Sequence, residues 1–141
     1  MATLKISDLS VGDWVEYEGL HYPITFVGNG EGGDGSLVNL IRPDLSCFTC
    51  KISDIRPISI TAEILEKNGF VRGNRGDFYH YHRLDKNRTL YIHASTNGWR
   101  VEITYDAAGI LRTTHLMPDM NSVHDLQHAL RLAGVDREIN L

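Results

Sequence analysis

"DFYHYHRLDKNRTLYIHAS", residues 77–95, is the stretch whose reading decides the fold. Tyr79 and Tyr81 alternate with His80 and His82, and strict alternation over a short β-prone run is the period of a strand. After "DKN" (85–87) a second run, "RTLYIHAS" (88–95), resumes it, and so short a separator fits a hairpin loop. Two more runs follow, "GWRVEITY" (98–105) and "GILRTTHL" (109–116), with "TNG" and "DAAG" as their separators. Together the four runs predict a four-stranded antiparallel meander. If the tyrosines face the core, His80 and His82 stand on the open side beside Arg83, with His93 of the next strand near them. Three imidazoles and a guanidinium suit an anion, a nucleotide or a transition metal, although the same row also serves as the plain polar side of a sheet. This set, His80, His82, Arg83 and His93, is the ligand-binding surface the sequence ranks first.

Helical signals flank the meander. In "SITAEILEKNGF" (59–70), Thr61 reads as N-cap, Glu63 sits in the first turn where the helix dipole favours an anion, Ile64 and Leu65 supply the apolar stripe, and Gly69 gives the left-handed stop. At about two turns this helix depends on packing. "NSVHDLQHALRLAG" (121–134) has Asn121 or Ser122 as cap, Val123, Leu126 and Leu130 at helical spacing, and Gly134 as its end. Upstream, "LSVGDWVEYEGLHYPITFVG" (9–28) alternates with glycine punctuation, and strands resume in "SLVNLI" (36–41) and "CFTCKI" (47–52). "GNGEGGDGS" (28–36), with five glycines, reads as a mobile loop. Four or five strands in about 57 residues match a small SH3-like barrel. The fold expected is therefore α+β: a β-rich SH3-like lobe over 1–57, then a lobe over 58–141 made of helix, four-stranded meander and C-terminal helix, with the hinge near Arg56–Thr61.

Three segments carry a resemblance. "ISDIRPISITAEILEKNGF" (52–70), "VHDLQHALRLAGVDREINL" (123–141) and the opening "ISDLSVGDWVEYEG" (6–19) look like a family of small uncharacterised proteins from gut Bacteroides-type bacteria, their phages and mobile elements. The likeness spans most of the chain and implies a phage or mobile-element origin. It implies no activity, and the glycine-rich loop and the cysteine pair depart from the family's pattern.

Composition narrows the class. At 42% hydrophobic residues the 141-residue chain can bury a real core. A net charge of −4 argues against nucleic acid as a partner, even though an aromatic and basic sheet face would suit a single strand. The charge is uneven: residues 1–36 hold six acids against Lys5, while Arg72–Arg100 holds six bases against Asp77 and Asp85. No leader pattern and no long apolar window occurs, so a soluble cytoplasmic protein is expected, and two cysteines are too few for a secreted disulfide framework.

Two motifs invite a metal. His124 and His128, four apart in "HDLQHAL" (124–130), share a helical face at the spacing of zinc proteases. But no Glu follows the first His, and no third ligand stands in register. With Leu126 and Leu130 facing the core, the two rings are expected at the helix flank, covering the sheet edge and bonded to a loop carbonyl or carboxylate. Cys47 and Cys50 form half of a zinc ribbon, but three apart on a strand they point to opposite faces. No nucleophile elbow, phosphate loop or paired carboxylates are found, and no cofactor is implied. The sequence thus favours a non-catalytic binding or adaptor protein acting through protein contacts and self-association. A small-ligand or nucleotide-sequestering protein is the first alternative, and a metal-dependent hydrolase using His124 and His128 the second.

Overall fold

A computed structural model of the chain describes residues 4–28, 36–73, 79–95, 98–135 and 138–141, with the backbone alone for 95 and 114–119. The glycine-rich stretch 29–35, expected as a loop, lies outside the described residues. Over the described residues the chain is α+β and mostly strand, with two antiparallel five-stranded sheets and two helices. It divides into two units, Met1–Ile58 and Ser59–Leu141.

The first unit contains β1 (Trp14–Tyr17), β2 (Leu20–Gly28), β3 (Leu37–Ile41), β4 (Cys47–Lys51) and β5 (Ile55–Pro57) in the order β4-β3-β2-β1-β5, with a 3₁₀ turn at Ile52–Asp54. Glu18 (φ 50°) and Gly19 (φ 78°) both adopt left-handed backbone between β1 and β2. That geometry matches the right-handed twist of the paired strands, and glycine at the second position adopts it without Cβ strain. The period-two pattern then delivers one apolar face: Leu9, Val15, Ile24, Val38, Leu40, Cys50 and Ile55 form a buried cluster, with Tyr17, Tyr22 and Phe48 packed against it. On β4, Cys47 is exposed and Cys50 buried, and both are free thiols.

The second unit contains α1 (Ala62–Lys67), β6 (Val71–Arg72), β7 (Tyr79–Arg83), β8 (Arg88–Ser95), β9 (Gly98–Ala107), β10 (Ile110–Met120) and α2 (Val123–Leu132), with sheet order β10-β9-β8-β7-β6. The meander has a fifth strand: Val71 pairs with Tyr81 and Arg72 with His80. Two residues are too few for any periodicity to reveal. Thr61 caps α1, its hydroxyl accepting from the Ile64 amide at 3.2 Å, and Ser122 caps α2 by accepting from the Asp125 amide at 3.3 Å. Asn68, at the end of α1, donates to the carbonyls of Ile64 (2.8 Å) and Asn140 (2.9 Å) and accepts from the Asn140 amide (2.7 Å). That clamp holds the C-terminal tail with Ile139 buried.

Register follows from turn chemistry. Between β7 and β8, the Asp85 carboxylate accepts from the amides of Asn87 (2.9 Å) and Arg88 (2.8 Å) and from Arg88 Nε (2.7 Å). These bonds close the turn and set Arg83 opposite Thr89, His82 opposite Leu90 and His80 opposite Ile92. Leu90, Ile92 and Val101 on that face are fully buried, as are Leu65 of α1 and Val123, Leu126 and Ala129 of α2. The core of the unit is thus one face of the sheet covered by its two helices.

Candidate functional site

The same register fixes what stands on the opposite face. Side chains across an antiparallel pair share a face, so Tyr79 lies with His93, Tyr81 with Tyr91, Tyr91 with Glu102, and His93 with Arg100. The four rings form a block: centroids are 6.4 Å apart for Tyr79–Tyr81, 6.0 Å for Tyr79–Tyr91, 5.8 Å for Tyr79–His93, 6.3 Å for Tyr81–Tyr91 and 6.0 Å for Tyr91–His93. The last pair is stacked with 22° between planes and the others are tilted, which are favoured arrangements for rings with a quadrupole. All four are half-buried.

Gly73, just past β6, makes room for this block. A Cβ there would stand 2.2 Å from Tyr79 Cζ, so the ring lies directly over the glycine, which also donates its amide to the Tyr79 carbonyl. Beside the rings, Glu102 is recessed, its side chain 16% exposed, with Oε2 3.3 Å from His93 Nε2 and Oε1 3.9 Å from Arg100 Nε. One row further along, Arg83, Thr89, Thr104 and Thr113 line up across β7 to β10.

The expected ligand set is not assembled. Alternation and pairing put His80 and His82 on the helix-covered side, while Arg83 and His93 are on the other. The expectation that the tyrosines turn inward and the histidines outward is therefore reversed: His80 is only 4% exposed, and His82 packs edge-on against Phe70 at 5.7 Å. The physical reason is the neighbouring strand. Leu90 and Ile92 have far more to gain from burial than Tyr91 and His93, and β7 must follow the parity of β8. His80 consequently has neither ring nitrogen hydrogen-bonded among the described residues. Its Nε2 lies 3.5 Å from Glu66 Oε1, which Arg72 Nε holds at 3.0 Å, and Trp99 meets its ring edge-on.

His124 also departs from expectation. It is buried, not marginal, with Nε2 3.3 Å from Ser122 Oγ and 3.7 Å from Asp125 Oδ1. Its ring meets that of His128 edge-on at 5.8 Å. Among the described residues no group of three or more His, Cys, Asp or Glu side chains is placed to hold a metal ion.

The first unit has a groove of about 560 Å³ lined by Glu16, Tyr17, Glu18, Gly19, Ser53, Asp54 and Arg56. Three carboxylates against one guanidinium make it electronegative, and the charge of Glu18, followed by burial, raises the Tyr17 hydroxyl above its ordinary pKa. Among the described residues, no helix is long and apolar enough to cross a membrane.

Sequence reasoning missed Tyr91, Arg100, Glu102 and Gly73. The signal that exposes the first three is the alternation of Leu90 and Ile92 with Tyr91 and His93 on β8, read together with the hairpin loop. No sequence signal marks Gly73, because its role depends on the unforeseen strand β6. No family model, no curated protein and no solved structure matches this chain.

Proposed function

We propose that this chain is a non-catalytic binding module that recognises a protein partner through the aromatic face of its second sheet. The observation that supports this is the block of four rings, Tyr79, Tyr81, Tyr91 and His93, on the side of the sheet opposite the buried Leu90 and Ile92. Tyrosine supplies large, stiff contact area with a polar tip and little entropy to lose, which is why it is enriched where proteins meet. A core has no use for these rings here, since the other face already supplies one. The first unit, in this proposal, is an SH3-like barrel serving as a separate scaffold. Its strand order, with β1 pairing both β2 and β5 and a 3₁₀ turn before β5, supports that reading.

The test uses a photo-crosslinking amino acid in place of Thr89, which shares the face with the rings, and in a second protein in place of Lys51 on β4. Irradiated in extracts of cells that naturally produce the chain, the Thr89 protein should give protein adducts that Tyr81→Ala abolishes. Adducts insensitive to Tyr81→Ala, or formed equally from position 51, would overturn the reading.

A further inference from the structure

We infer that the end of α1 carries a docking site for an extended segment, filled in this structure by the chain's own residues 138–141 and, in a dimer, by residues 138–141 of a second copy. The site is separate from the aromatic face and does not depend on it.

The grip itself reads backbone. Asn68 is 5% exposed, and its side chain is steadied by donating to the Ile64 carbonyl at 2.8 Å. The same amide accepts from the Asn140 N–H at 2.7 Å and donates to the Asn140 carbonyl at 2.9 Å. Those two bonds are what a neighbouring strand would offer, so position 140 is held whatever its side chain, and Asn140 stays exposed. Identity is read one residue earlier: Ile139 is 2% exposed, between the exposed Glu138 and Asn140. Backbone bonds for affinity and a side-chain pocket for specificity are the means by which extended segments bind in trans. Such a grip is blind to which molecule supplies the segment.

The segment is also separable. Of residues 138–141 only Ile139 is buried, whereas α2 buries Val123, His124, Leu126, Gln127, Ala129 and Leu130. An edge anchored by one side chain and one clamp opens well before the sheet and its long helix do.

The turn that aims the segment is built to change direction. Gly134 donates to the Arg131 carbonyl at 3.0 Å and Val135 to the Leu130 carbonyl at 2.9 Å, the paired bonds of a Schellman ending, with Gly134 at φ 70°. Among the described residues no atom stands within 4 Å of where a Cβ at Gly134 would lie. The turn is therefore set by backbone conformation and not by crowding. Glycine takes either sign of φ about as readily, so a rotation there redirects everything that follows while α2 stays whole. Leu132, two residues before this hinge, is 69% exposed, and exchange gives it a second chain to pack against.

A second copy fits better than an unrelated partner. Its segment reproduces every bond at both sites, and an isologous pair closes on itself with no site left empty. What exchange loses is the effective concentration of the tether, so the dimer depends on concentration.

The test uses the full chain in two measurements. In light scattering up to about 1 mM, the scale of tethered effective concentrations, the native chain should pass from monomer towards dimer. Gly134→Ala places a Cβ in left-handed backbone and disfavours each closed hinge roughly five-fold; a dimer opens two, so the dimerisation constant should rise about 25-fold. Gly134→Asn, which tolerates that backbone, should raise it far less. In the second measurement Cys47→Ser is introduced throughout. A nitroxide on Asn140→Cys is refolded from urea with an isotope-labelled chain that carries none, and should broaden the Leu65 and Asn68 amides of that labelled chain. The broadening should grow with Gly134→Ala in step with the dimer. If Gly134→Ala fails to fold, broadening with the native hinge decides the matter. A strict monomer at about 1 mM in every variant would overturn the proposal. So would equal dimerisation of the Ala and Asn variants, or a dimer without broadening at Leu65 and Asn68, which would be joined through another surface.

Discussion

Replacing Gly73 by Ala tests whether Tyr79 is held over the backbone as a platform ring. The added Cβ would stand 2.2 Å from Tyr79 Cζ and 2.4 Å from Cε1. Carbon atoms in contact settle about 3.5–4.0 Å apart, so the ring must retreat by well over 1 Å, and a ring on a flexible side chain can do so. Retreat sacrifices its contacts with Tyr81, Tyr91 and His93 at 6.4, 6.0 and 5.8 Å. Each aromatic pair contributes about 0.5–1.5 kcal/mol, and for half-buried rings the low end applies, so the loss is roughly 1.5 kcal/mol. Alanine at a compatible backbone position offsets about 0.4–1 kcal/mol by narrowing the unfolded ensemble. The net expectation for Gly73→Ala is a destabilisation of about 0.5–1 kcal/mol. In a Tyr79→Ala background nothing remains to collide with, and the same substitution should stabilise by about 0.4–1 kcal/mol. Urea denaturation of the four proteins closes a double-mutant cycle whose coupling should be about 1.5 kcal/mol. Independent sites add to within about 0.5 kcal/mol, and a coupling inside that margin would refute the placement of the ring.

Other outcomes follow from other parts of the structure. Asn68→Ala removes three hydrogen bonds and the anchor of the tail, and should cost about 1–3 kcal/mol with early loss of protection at Asn140 in hydrogen exchange; unchanged stability would contradict the clamp. The Asp85 carboxyl is held below its ordinary 3.8, first by the Asn87 amide and then by the Arg88 side chain. Its contribution is present above pH 3.8 and is lost as the pH falls through the lower folded value, so the stability gap between the native chain and Asp85→Ala should shrink below pH 3.8; a gap constant with pH would tell against these bonds. Burial, with Asp54 second, pushes the Cys50 thiol up to about 11 from 9.0. The unfolded chain therefore releases this proton first, and stability should fall as pH rises above 9. At pH 8 a thiol reagent should modify the exposed Cys47 quickly and Cys50 only on unfolding. Equal rates for the two cysteines would contradict the strand placement of β4.

The sequence made the elements legible wherever local chemistry decides them. Thr61 and Ser122 cap the two helices because a short side-chain oxygen meets the orphan amides there. The divergence of Cys47 and Cys50 followed from strand periodicity alone. The facing of β7 did not follow, because within "YHYHR" tyrosine looks more apolar than histidine, and only the pairing of His80 with Ile92 and His82 with Leu90 breaks the tie. The burial of His124 was hidden for a similar reason. A helical wheel gives its angle relative to Leu126 but not how far the packed surface extends around α2, where Val123, His124 and Gln127 are all buried. The aromatic block was invisible as a unit because its four rings come from two strands and acquire a common face only through the Asp85 turn.

Which way β7 and β8 face decides where the aromatic block stands, and ring-proton NMR with a soluble gadolinium chelate measures that directly. The rings of Tyr81, Tyr91 and His93 should broaden strongly while that of His80, 4% exposed, stays sharp. A sharp set of tyrosines beside broadened His80 and His82 would contradict it.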